Sequence, residues 1–225
     1  MEKNKFFSAK NIAYLAVLLA LVIVLQAFSA SLQALTVVNL NLALVPIVLG
    51  ALLLGPLAGG FLGLACGIVV LVQVVMGING FYTVIWSGSP FVTTLTCLVK
   101  TTVAGLVAGF VYNVIKKKNG LVATFVASGL VPIVNTVLFI LGCLCMPATI
   151  QSINPEGVNL FVFIIVSIVT WNFFIEFAIS LVLAPAVHRV VLVVEKQFGG
   201  KKKPAGAPNQ SVASAEPAAT QEGKQ

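Results

Sequence analysis

The chain has no aspartate, one histidine and one arginine in 225 residues, and its acidic side chains are six glutamates. A Ser/His/Asp triad and an H-E-x-x-H zinc site therefore have no material to be built from. There is also no G-x-S-x-G elbow and no GxxxxGK[ST] phosphate loop, so the chain does not hydrolyse ATP through a Walker motif. The lone His188 sits beside Arg189, near the end of the apolar sequence, where an interfacial position is expected. This inventory excludes a metal-dependent or serine-type enzyme, and no cofactor is expected in this chain.

Charge is scarce as well. Charged residues make up 8% and hydrophobic ones 59% of the chain, and mean hydropathy is +1.08, which excludes an ordinary water-soluble domain. Apolar sequence runs almost unbroken from Phe6 to Val194. At roughly 20 residues per crossing of a layer about 30 Å thick, six spans fit. They are expected near Ser8 to Ala30, Asn41 to Leu54, Leu57 to Met76, Pro90 to Ile115, Leu121 to Met146 and Leu160 to Val194, the second short and the last overlong. Period-two alternation in ten-residue segments is absent, so the expected class is an all-α polytopic bundle of six transmembrane helices and not a barrel. Residues 1–198 form this domain, and 199–225, rich in Lys, Pro, Ala, Gly, Ser, Gln and Glu, are expected to be a disordered cytoplasmic tail.

The net charge of +7 is placed for a membrane and not for nucleic acid. Lys3, Lys5 and Lys10 precede span one, Lys116 to Lys118 follow span four, and Arg189, Lys196 and Lys201 to Lys203 end span six. Six alternating spans bring all three groups to one side, which the positive-inside rule makes cytoplasmic, together with both termini. The first thirty residues have a secretory-signal look. Cleaving them would strand Lys116 to Lys118 outside, so they are read as span one.

Small residues pattern the spans. Ala9, Ala13, Ala16, Ala20 and Ala27 fall within about 40° of one line on a helix, a smooth stripe suited to internal packing or to a partner helix. Gly59, Gly63 and Gly67, and then Gly105 and Gly109, repeat small-xxx-small spacing and predict tight internal contacts. Cys66, Cys97, Cys143 and Cys145 all lie in spans. The last two point about 200° apart on a helix, which excludes a local disulfide or metal pair.

Ionisable side chains at membrane depth are costly and mark function by default. Lys100 lies near the middle of span four, with Thr93 and Thr96 on its face, and Glu176 near the middle of span six, one turn after Asn172. Asn135 and Thr136 follow Pro132 in span five. Either Lys100 and Glu176 neutralise each other with the asparagines completing the hydrogen bonds, or the same groups floor a pocket in which Lys100 attracts a carboxylate or phosphate. Both arrangements are open. Asn79, Tyr82 and Trp86 join spans three and four on the outer side, as interface anchors or as a lid at the pocket mouth.

The alanine stripe, LVPIVLGALLLGPLAGGFLGLACG from Leu44 to Gly67, SPFVTTLTCLVK from Ser89 to Lys100, VPIVNT from Val131 to Thr136 and NFFIE from Asn172 to Glu176 together resemble one family. It is the substrate-binding S components of energy-coupling factor (ECF) vitamin transporters. The resemblance implies a six-helix subunit that captures a vitamin or precursor from outside, beneath loops after spans one and three. It also implies that Ala16 and Ala20, extended by Ala9 and Ala13, dock on a transmembrane coupling (T) protein, and that two cytoplasmic ATPases use the ATP in a bacterial cell membrane. The pattern is similar to S components assigned to pantothenate and to others with no assigned solute; riboflavin or another neutral vitamin stays open. Other classes to weigh are an autonomous secondary transporter coupled to protons through Glu176, and a ligand-free membrane scaffold.

Overall fold

The computed structural model describes residues 9–35, 40–78, 80–154 and 158–199, and all regular structure among them is helical. Asn79 and residues 200–225 of the expected tail lie outside the described residues, while Gly199, placed in that tail by the sequence reading, ends a helix. The elements are α1 (Ala9–Leu35), α2 (Leu44–Leu54), α3 (Pro56–Val75), α4 (Gly80–Gly88), α5 (Pro90–Ile115), α6 (Gly120–Leu144), α7 (Pro147–Gln151), α8 (Leu160–Val162), a π-helical stretch Phe163–Val169, and α9 (Thr170–Gly199).

Five helical segments are long and apolar enough to cross a membrane, with α8, the π stretch and α9 forming one of them, and α2 is a sixth, shorter apolar helix. The expected all-α polytopic bundle is therefore the observed one. Its surface carries the large apolar side chains that hydrocarbon tolerates and water does not, among them Val17, Leu57, Phe91, Phe110, Trp171 and Val182.

Two features depart from the expected spans. Helix α2 begins at Leu44, not Asn41, and its 11 residues rise only about 16 Å, half the hydrocarbon thickness. Second, the segment between spans three and four is not an open loop, because Gly80–Gly88 forms α4. Helix α2 ends at Gly55, whose φ of 100° suits a residue without Cβ, and Pro56 then occupies the first turn of α3, where its missing N–H costs nothing. The chain reverses there with no loop, so α2 fills only the inner half of its lane.

The glycine stripe of α3 lies on the backbone of α5. A Cβ at Gly63 would meet the Thr101 carbonyl, one at Gly67 the Cys97 carbonyl, and one at Gly59 the Gly105 carbonyl. At this separation the Thr101 hydroxyl donates to the Gly63 carbonyl at 2.7 Å. The packing expected from the spacing is thus present, and in lipid, where apolar burial between helices gains little, such contact is a main source of association. Cys143 is buried and Cys145 exposed, as their angular separation requires.

Gly63→Leu should separate α3 from α5 and lower stability by about 1–3 kcal/mol or more, the usual cost of overpacking. Thermal unfolding in detergent checks this, with the exposed Leu64→Val as a control near wild type.

Candidate functional site

Because α2 occupies only the inner half of its lane, the outer half of the bundle is left with a partly open cavity lined by polar, charged and aromatic side chains. Each helix contributes from the part nearest the outer side: Gln26 from α1, Val70, Gln73 and Val74 from α3, Asn135, Thr136 and Phe139 from α6. Lys100 of α5 and Glu176 of α9 come from deeper, near the middle of their spans. Phe81 and Tyr82 of α4, Asn41 before α2, and Val169, Asn172 and Phe173 around the junction of the π stretch with α9 complete the wall. A π stretch displaces the residues after it around the helix axis, and such bulges are frequent at functional sites.

Lys100 is 6% exposed. Its ammonium donates to the Tyr82 hydroxyl at 2.7 Å and lies 5.0 Å from the Tyr82 ring centroid and 5.2 Å from that of Phe139. Phe81, Tyr82 and Phe139 pack edge-on and tilted against one another, so the cation sits on a preformed aromatic cluster. Glu176, 8% exposed, accepts the backbone N–H of Asn41 at 2.8 Å, which ties the chain before α2 to α9.

Of the two arrangements the sequence left open, mutual neutralisation of Lys100 and Glu176 does not take the form of direct contact. Both charges face one cavity, but they form no direct ion pair among the described residues, because Tyr82 engages the ammonium and Asn41 the carboxylate. Asn135 does not complete the hydrogen bonding through its carbonyl, since Asn135 Oδ1, on a residue 6% exposed, has no partner among the described residues.

Of the other candidates, Asn172 and Tyr82 line the cavity. Thr96 does not: its hydroxyl donates to the Val92 carbonyl at 2.8 Å, and its side chain packs where a Cβ on Gly142 would be. Trp86 is half-buried against the core and is absent from the wall, whereas Asn79 is outside the described residues. Ala9, Ala13, Ala16 and Ala20 are exposed, on the side of α1 opposite its buried Leu18, Val22, Gln26 and Ser29.

Sequence reasoning missed Gln26 and Gln73. Gln26 Nε2 donates to Gln73 Oε1 at 3.2 Å, and Gln73 Nε2 returns a bond to the Gln26 carbonyl at 3.3 Å, joining α1 to α3 at the cavity wall. Their signal was available, as two amides inside apolar helices. Among the described residues no group of three His, Cys, Asp or Glu side chains is placed to hold a metal ion.

A family model described as "ECF transporter, substrate-specific component" matches residues 10–188, and the chain belongs to that family. This is a family of transporter subunits, not of enzymes. No curated protein and no solved structure matches the chain.

Tyr82→Phe removes the hydroxyl that accepts from Lys100 while keeping the ring. It should lower stability by about 1.5–3 kcal/mol, the range for a hydrogen bond to a charged group, measured by unfolding in detergent.

Proposed function

We propose that this substrate-specific component captures a vitamin or cofactor precursor from outside a bacterial cell membrane in the cavity between α1, α3, α4, α5, α6 and α9. Release inward is driven by partners, a transmembrane coupling protein and two ATPases. The observation that carries this reading is a cavity in the outer half of an apolar bundle, floored near mid-span by Lys100 and Glu176 and walled by aromatic and amide side chains. Lys100, Asn135, Asn172, Glu176 and Tyr82 are its binding residues. Pantothenate, with a carboxylate for Lys100, and riboflavin, which is neutral, represent the two solute types this reading leaves open.

The exposed alanine stripe supports α1 as the docking helix. Its most apolar window is 22% buried, against 50% for α3, so α1 is the least covered of the long helices. Small side chains allow a partner helix to approach closely. Ala16 and Ala20 are the centre of that contact, extended by Ala9 and Ala13.

Ala16→Trp and Ala20→Trp should abolish uptake by the assembled complex while solute binding to the isolated chain stays within about twofold, because the stripe lies opposite the cavity. Radiolabelled uptake and binding to purified protein measure the two separately. Uphill, proton-driven uptake by proteoliposomes containing this chain alone would instead establish an autonomous transporter.

A further inference from the structure

The cavity holds one cation and one anion, Lys100 and Glu176, and they are the only buried acidic or basic side chains among the described residues. Neither waits for a ligand to meet its charge. The ammonium already has a phenol oxygen at 2.7 Å and two ring faces near 5 Å, and the carboxylate already accepts a backbone N–H at 2.8 Å. The two side chains bring opposite formal charges to one cavity, at a depth where net charge is costly. An anionic solute would upset that balance by one unit, and a cationic solute would do so in the opposite sense.

What is unmet is a neutral acceptor. Asn135 Oδ1 has no partner among the described residues, on a side chain that lines the cavity and is 6% exposed. Buried polar atoms are almost always paired, so an orphan carbonyl beside an open cavity calls for an N–H or O–H from an occupant. Phe81, Phe139 and Phe173 offer the body of that occupant an apolar surface.

We propose that the solute binds as a net-neutral molecule that presents a hydrogen-bond donor to Asn135 and packs a flat or apolar body on these phenylalanines, and that the opposed Lys100 and Glu176 select against anionic analogues. This rests on the cavity being the solute site of the import reading and sharpens it toward the neutral of the two solute types named above.

Matched pairs differing mainly in charge test it, by calorimetry or thermal shift on the full chain: nicotinamide with nicotinate, pantothenol with pantothenate, and riboflavin with flavin mononucleotide. A ligand bound only to the folded state must raise apparent stability. In any pair that binds, the neutral member is expected to bind at least tenfold more tightly, and tighter binding of the anion overturns the proposal.

If none of the six binds, the small molecule retained by the purified protein is identified by native mass spectrometry. A neutral donor-bearing solute supports the proposal. A charged one, with uptake by the assembled complex intact, overturns neutrality and leaves the import reading standing. A chain that retains nothing and supports no uptake overturns both.

Two variants separate the parts, each probed with the preferred pair or the identified solute and its charged analogue. Asn135→Leu should weaken the neutral solute about ten- to hundredfold, the cost of one lost buried hydrogen bond; unchanged affinity overturns the donor assignment. Glu176→Gln keeps an acceptor for the Asn41 N–H but removes the counter-charge. It should shrink the preference for neutral over anionic solute at least tenfold, and an unchanged preference overturns the role of charge balance.

Discussion

The contact on which the molecule depends is the backbone-to-backbone seam between α3 and α5. Gly59, Gly63 and Gly67 leave no side chain between the helices, and the carbonyls of Gly105, Thr101 and Cys97 fill the space. Contact this close admits one register, since a slide along either axis would bring a side chain against backbone. Lys100 lies between Cys97 and Thr101, so the seam fixes the depth of the one buried cation among the described residues. The same helix pair places Gln73 and Val70 of α3 across from it on the cavity wall. Packing in the inner and middle bundle thereby sets the geometry of a site in the outer half.

The short α2 is the second determinant, and it works by absence. An eleven-residue helix cannot fill a lane across the hydrocarbon, and the chain before it has to descend into the bundle to reach Leu44. That descent brings the Asn41 N–H to Glu176 and the Leu42 N–H to the Ser29 hydroxyl at 3.1 Å. Irregular backbone at membrane depth is tolerated where it is buried in protein or lines a cavity, and here its donors are met by side chains. The cavity and the irregular segment are two consequences of one short helix.

Much of this was legible in the sequence, for identifiable reasons. Hydrophobic length gave the spans because hydrocarbon thickness is fixed, and glycine spacing gave the seam because only glycine permits it. Lys100, Asn135, Asn172 and Glu176 stood out because polar side chains are rare inside spans, and all four line the cavity. Thr96 could not be separated from them by position alone, because a threonine in a helix can turn its hydroxyl onto the preceding turn, as this one does. The partners of Lys100 were hidden for another reason. Tyr82 and Phe139 are nonlocal neighbours brought in by α4 and α6, and an aromatic residue near a span end looks the same whether it anchors an interface or holds a cation.

The two faces of α1 bear on how such a subunit can act without an energy source of its own. Gln26 reaches the cavity and pairs with Gln73, while the alanine stripe faces outward on the opposite side of the same helix. A proton-coupled carrier would need ionisable groups continuing from the site toward the inner face. Beyond Lys100 and Glu176 the buried polar residues among those described are neutral, and on the inner side of the site Thr124 bonds to the partly buried His188 at 3.1 Å near the α5–α6 connection. The cavity opens into the outer half, and below it a smaller cleft is lined by Val45, Val48, Ser128, Ser180, Leu183 and Val187. Of the long helices α1 is the least covered, with the wall residue Gln26 on one face and the exposed alanines on the other.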